Sequence, residues 1–212
     1  MKIFFLDLDG TLRQTKSGET FINRPDDQQA IPGALAATEY LSSIGFILIG
    51  ITNQGGCAAI DPATNKPRKS LEDAIEEQKI TLKLFPKLSE IYFCPSWGEN
   101  CFQVSRSGEI NSFQAPIGNS GGSISCRKPG HGMLLQAVAG IHSDADPVDW
   151  GDSWMSGDAL RARKLRNEDE VCAASGMVNF IWANLMLKRF GGADCQETPN
   201  EIVKKFDRLI QH

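Results

Sequence analysis

A chain of 212 residues, 41% hydrophobic and 23% charged, is long enough for one sizeable α/β domain with its own core. Its formal net charge of -4 exerts no global pull toward nucleic acid or an anionic membrane, and no apolar run approaches the roughly 20 residues that cross a bilayer. Six scattered cysteines suit a reduced, cytoplasmic protein better than a disulfide scaffold, and the amino terminus reaches Asp7 too soon for a signal peptide. With only three histidines, a mechanism built on a histidine base has little support.

The apolar run Ile3 to Leu6 predicts a short buried strand that delivers Asp7, Asp9 and a Gly10-Thr11 turn. Residues 11–30 are polar and turn-rich, as expected of a flap over the strand end. Pro32-Gly33 opens a helix to about Ser43, with Leu35, Ala36, Thr38, Leu41 and Ser42 as its inner face. Phe46 to Ile51 predicts a buried parallel strand ending at Thr52-Asn53-Gln54-Gly55-Gly56. Ser70 caps a helix to about Phe85, and Ile91 to Phe93 predicts a third strand. Residues 94–127 form an irregular insertion or lid with a hairpin near Phe102 to Phe113. A helix follows from about Gly132 to His142, and then a strand, Ser153 to Ser156, leads into Gly157-Asp158. Helix 168–175, strand 178–182 and a terminal helix capped at Thr198-Pro199-Asn200-Glu201 complete the chain. This alternation predicts a single domain of the doubly wound, three-layer α/β/α type.

In such sheets ligands bind beyond the carboxyl ends of the strands, where Asp7, Asp9, Thr52, Asn53 and Asp158 are all expected. Two carboxylates that close together are costly unless a cation, a shared proton or a substrate relieves them. A phosphate monoester gives such a pair two roles. Asp7 is placed to take the phosphoryl group as nucleophile, and Asp9 to protonate the leaving alcohol and later activate water. Mg²⁺ suits a few carboxylates beside phosphate oxygens, with Asp158 as a further ligand. The Thr52 hydroxyl and nearby N–H groups can cradle phosphate, and Lys128 can neutralise charge.

Asp7-Leu8-Asp9-Gly10-Thr11-Leu12, Ile51-Thr52-Asn53-Gln54, Arg127-Lys128-Pro129 and Ser156-Gly157-Asp158 resemble the four ordered motifs of the haloacid dehalogenase-like phosphatases. The resemblance implies Asp7 as nucleophile, Asp9 as general acid/base, and Thr52 and Lys128 on the phosphoryl group. It further implies Mg²⁺ on Asp7, the main-chain carbonyl of Asp9, and Asp158. Within the family, Thr52-Asn53-Gln54 and Cys126-Arg127-Lys128-Pro129 with Gly132-Met133 resemble the histidinol-phosphate and heptose-bisphosphate phosphatases and the polynucleotide kinase 3′-phosphatase domains. Those enzymes lack a large cap, and Asn53 and Arg127 become candidate substrate contacts.

Two departures stand out. The sugar-phosphatase group carries a zinc loop, of which Cys94, Cys101 and Cys126 remain here. Three thiols are one donor short of a closed tetrahedral Zn²⁺ site, which favours reduced cysteines packed in a loop base. The family commonly places another acid four residues after Asp158, where Ala162 stands here. Glu168-Asp169-Glu170 with Cys172-Ala173-Ala174 resembles the family's continuation after an insertion, and this resemblance implies Asp169 as the acid behind the metal ligands. The expected substrate is a small phosphorylated metabolite. The basic run Arg161, Arg163, Lys164 and Arg166, beside an open rim, supports a nucleic-acid 3′-phosphate as the alternative. A catalytically silent phosphoester-binding module is the third reading.

Overall fold

The computed structural model describes residues 1–158, 168–193 and 201–211. In chain order it runs β1 (Lys2–Leu6), β2 (Arg13–Gln14), β3 (Gln29–Ala30), α1 (Ala34–Ser43), β4 (Phe46–Asn53), β5 (Ile60–Asp61), β6 (Lys66–Pro67), α2 (Leu71–Leu84) and β7 (Leu88–Cys94). It continues through β8 (Asn100–Ser105), β9 (Ile110–Gln114), α3 (Gly132–Ile141), β10 (Trp154–Gly157), α4 (Glu168–Ser175), β11 (Asn179–Trp182), α5 (Ala183–Lys188) and α6 (Glu201–Leu209). The basic run 161–166 and the capping residues 198–200 lie outside the described residues.

Seven strands form one sheet in the order β11-β10-β1-β4-β7-β8-β9. The first five are parallel, while β8 and β9 add on antiparallel. Alternation along β1 splits the core in two. Phe4 and Leu6 pack toward α1, α2, α5 and α6, whereas Ile3 and Phe5 pack toward α3 and α4. All four side chains are fully buried, which is why this strand reads as a continuous apolar run. The result is the expected three-layer α/β/α arrangement.

One local expectation needs correction. The inner face of α1 is Ala34, Ala37, Thr38 and Leu41, while Leu35 is exposed. The i, i+3, i+4, i+7 spacing from Ala34 turns Leu35 and Ala36 outward. The hairpin expected near Phe102 to Phe113 is present as β8 and β9, and it extends the main sheet from β7. Helix α5 was not expected, because its short apolar run follows β11 without a turn signal. Ser70 does cap α2, accepting from Asp73 N–H at 3.0 Å.

Candidate active site

Strand β1 stops at Leu6, so Asp7 and Asp9 stand in the turn beyond it rather than alternating along a strand. Asp7 N–H still donates to the Ser156 carbonyl at 2.9 Å, which ties this residue to β10. The Leu8 carbonyl accepts from Leu12 N–H at 3.0 Å and Arg13 N–H at 2.9 Å, curling the chain sharply. Gly10, at φ 87°, makes that curl, and a Cβ there would strike the Asp158 carboxylate.

The Asp7 carboxylate is buried between two donors. Lys128 Nζ lies 2.6 Å from Oδ1, and the Thr11 hydroxyl donates to Oδ2 at 3.0 Å. The same ammonium also donates to Asp169 Oδ1, so one buried cation joins two buried carboxylates. Burial pushes the Asp7 carboxyl up to about 6 from its ordinary 3.8, although Lys128 pulls it back down. Asp169 is raised by burial in the same way, and its two carboxylate partners hold Lys128 well above the usual lysine range despite its own burial. Asp7, Asp158 and Asp169 each offer an oxygen within 4.8 Å of the others, the only such trio of acid, cysteine or histidine groups among the described residues. Gly157 leaves space for the Asp169 carboxylate that no larger residue would leave. Three carboxylates from two strand ends and a helix start are the oxygen donor set that Mg²⁺ prefers.

Asp9 faces different partners. Arg13 Nε donates to its Oδ1 at 2.9 Å, while Gln54 Nε2 and the Thr52 hydroxyl approach Oδ2 at 3.3 and 3.4 Å. Burial alone would raise its pKa, but Arg13, with Lys69 and Lys128 behind it, holds the carboxyl below the ordinary value. Asn53 clasps the Lys128 backbone, accepting from its N–H at 3.0 Å and donating to its carbonyl at 3.1 Å. Asn53 therefore orients the lysine loop. The Arg127 guanidinium lies 5.2 Å from the Trp97 ring and beside Gly55, with its Nη1 buried and lacking a hydrogen-bond partner in the protein.

Asp7, Asp9, Thr52, Asn53, Arg127, Asp158 and Asp169 line one cleft of about 1450 Å³, open on one side, whose outer wall is the 15–23 loop. Five residues at the ends of β1, β4 and β10, Arg127 from the loop before α3, and Asp169 from the first turn of α4 thus converge on one cleft. The cysteines sit elsewhere. Cys94, Cys101 and Cys126 are fully buried in the core on the α3 side, with the Cys94 thiol directed at the Ser96 carbonyl. Sequence reasoning missed Arg13, Gln54, Lys69 and Glu77. The available signal was the polar inner face of α2, where Glu77, Gln78 and Thr81 are buried at core positions.

Residues 2–194 match the family model described as polynucleotide kinase 3 phosphatase. The chain belongs to that family. It is similar to the D-glycero-beta-D-manno-heptose-1,7-bisphosphate 7-phosphatase of Yersinia pestis, at 30% identity over 156 residues, 74% of this chain and 69% of the relative. The enzyme of the same name from Haemophilus ducreyi is 28% identical over 162 residues, covering 75% of this chain and 73% of its own. Among solved structures, D,D-heptose 1.7-bisphosphate phosphatase from B. bronchiseptica, complexed with magnesium and phosphate, aligns with TM-score 0.54 at 19% identity, over 100% of this chain and 99% of that one. A HAD-like phosphatase from Mesorhizobium loti aligns with TM-score 0.55 at 19% identity, over 84% and 69% of the two chains. At that identity the structures establish the shared fold. With the family match, they make this chain a haloacid dehalogenase-like phosphatase without a large cap.

Proposed function

We propose that this phosphatase is a Mg²⁺-dependent, single-domain, cytoplasmic phosphomonoesterase that works through an aspartyl-phosphate on a small phosphorylated metabolite of the sugar-phosphate kind. The observation that carries the reading is the buried Lys128 ammonium joining Asp7 to Asp169. A nucleophilic carboxylate needs an adjacent cation before a phosphate dianion can approach it.

Asp9, ionised beside Arg13 in the free site, takes up a proton from solvent as the phosphate dianion enters next to it. An Asp7 oxygen then attacks phosphorus, and the bond to the leaving oxygen breaks as Asp9 delivers that proton to it. Asp9, now a carboxylate, takes a proton from water, whose oxygen displaces Asp7 and releases inorganic phosphate. Lys128 neutralises charge on Asp7 and on the transferring group throughout. Thr52 and the N–H groups beyond β4 steady the phosphoryl oxygens, and Arg127 offers its guanidinium to the rest of the substrate. Asp7, Asp158 and the main-chain carbonyl of Asp9, with Asp169 behind them, would hold Mg²⁺, which would supply positive charge to the phosphoryl oxygens.

The names of the heptose-bisphosphate phosphatase relatives support a sugar phosphate. The description of the family model and the breadth of the cleft favour a polynucleotide 3′-phosphate as the second reading. Steady-state hydrolysis of sugar phosphates and of a 3′-phosphorylated oligonucleotide, compared as kcat/KM, separates them. A sugar-phosphate value at least tenfold higher supports the first reading, and the reverse ranking replaces it with the second.

A further inference from the structure

Arg13 is the most completely buried charged side chain near the cleft, at 0% exposure. Its guanidinium is used on every side. Nε holds Asp9 Oδ1, Nη2 pairs with Glu77 Oε1 on α2, and Nη1 reaches Thr81 and, at 3.3 Å, Gln28. The other Glu77 oxygen accepts from Lys69, which donates to Gln54 Oε1 at 2.9 Å, and Gln54 returns to Asp9 Oδ2 at 3.3 Å. The contacts close a ring, Asp9–Arg13–Glu77–Lys69–Gln54–Asp9, containing two cations and two anions.

Stability alone gives a weak reason for this ring. Desolvating a guanidinium and a carboxylate costs several kcal/mol per ion before any pairing, and apolar replacements of such pairs are often neutral or stabilising. The ring does have a geometric result. Asp9 is the one member with a side chain about a third exposed, at 32%, and it faces the cleft. The Arg13 bond is the shortest side-chain hydrogen bond it receives, because Gln54 and Thr52 stand at 3.3 and 3.4 Å. A planar fork anchored at its far end to Glu77 fixes a carboxylate's plane in a way that a single point charge does not.

We propose that Arg13, backed by Glu77, is a positioning residue that sets the Asp9 carboxylate in line with the leaving oxygen. Helix α2 thereby becomes part of the proton-transfer apparatus. The proposal rests on the reading of Asp9 as the proton shuttle. A misplaced acid slows departure of a poor leaving group and spares a good one, whereas general loss of structure slows both.

The test is single-turnover release of phenol from phenyl phosphate and of p-nitrophenol from p-nitrophenyl phosphate, at saturating Mg²⁺, for the intact chain and its variants. R13M is expected to lose about 100-fold on phenyl phosphate and less than about fivefold on p-nitrophenyl phosphate, within the range that general acid catalysis supplies. E77Q keeps the side chain's shape but only one of its two acceptor oxygens, so either Arg13 or Lys69 loses its partner, and it shows the same selective loss at roughly tenfold. It carries the test if R13M does not fold. D9N shows the selective loss in full, and D9N/R13M is no slower than D9N on phenyl phosphate, since the two residues act as one unit. Mg²⁺ affinity is unchanged in E77Q. Equal losses on both substrates in R13M and E77Q, with D9N selective, overturn the positioning role alone. A non-selective D9N overturns the Asp9 reading and the positioning role with it.

Discussion

Lys128 Nζ stands 2.6 Å from Asp7 Oδ1 while also bonded to Asp169, although the three residues come from a loop, a strand exit and a helix start. Each of the three is almost fully buried. The lysine is therefore the counter-charge that lets two carboxylates occupy one dry site. Asp7→Asn is expected to leave a folded protein with turnover of p-nitrophenyl phosphate reduced by about 1,000-fold or more, because an amide is no phosphoryl acceptor. A stopped assay with acid quench should find phosphate bound covalently to the unmodified chain and none on the variant.

Removing the lysine tests the charge argument. Lys128→Met leaves Asp7 and Asp169 facing each other, so the metal-free variant should lose about 3 kcal/mol of stability by urea unfolding. Added Mg²⁺ should recover part of that loss, because it restores positive charge to the same oxygens. A variant as stable as the parent without metal would show that the carboxylates are relieved by some other group.

The pH dependence follows from Asp7, which burial raises to about 6. The native state then holds a proton that the unfolded chain, near 3.8, has already released. The native state binds more protons in this window, so metal-free stability falls as pH rises from about 4 to about 6 and then levels off. Asp7→Asn removes the penalty and should raise the midpoint of thermal unfolding at pH 7 relative to the parent without metal. Mg²⁺ needs the charged carboxylate, so its apparent affinity should fall about tenfold per pH unit below pH 6. Calorimetric titration between pH 5 and 7.5 measures it. A flat profile would contradict the assignment of Asp7 as a ligand.

A glycine guards the proposed metal site. A methyl group at Gly157 collides with the Asp169 carboxylate, a side chain anchored by Lys128 and unable to swing freely. Gly157→Ala should weaken Mg²⁺ binding by more than about tenfold, the scale on which displaced outer ligands act. The fold should survive, since the strand geometry of β10 accepts alanine. Far-ultraviolet circular dichroism and metal titration on the same sample distinguish a displaced ligand from a lost fold.

Much of the site was legible because its residues belong to local patterns. The β1 run, the Thr52-Asn53 strand exit and the Gly157-Asp158 exit each place a polar group directly after an apolar strand, and a parallel sheet brings such exits to one edge. Lys128 was legible from its motif, although no periodicity places it beside Asp7 across 121 residues. The inner face of α1 was misread because a short amphipathic helix offers two overlapping apolar stripes, and packing against the sheet selects one of them. Asp169 was legible only as the continuation of the family pattern after the residues that follow Asp158, and the structure brings it within 4.8 Å of the carboxylate oxygens of Asp7 and Asp158.

By itself, the sequence determined the order of the principal strands and of every helix but α5, the sheet edge at which polar residues gather, and the identity of the paired aspartates. Those properties follow from side-chain periodicity and from residues adjacent in the chain. Only the tertiary structure decided which charges face one another. Arg13 meets Glu77 across 64 residues because α2 packs its polar inner face toward the turn after β1. An ion pair of that kind depends on the approach of distant elements within a few ångströms, and no local pattern encodes such a distance.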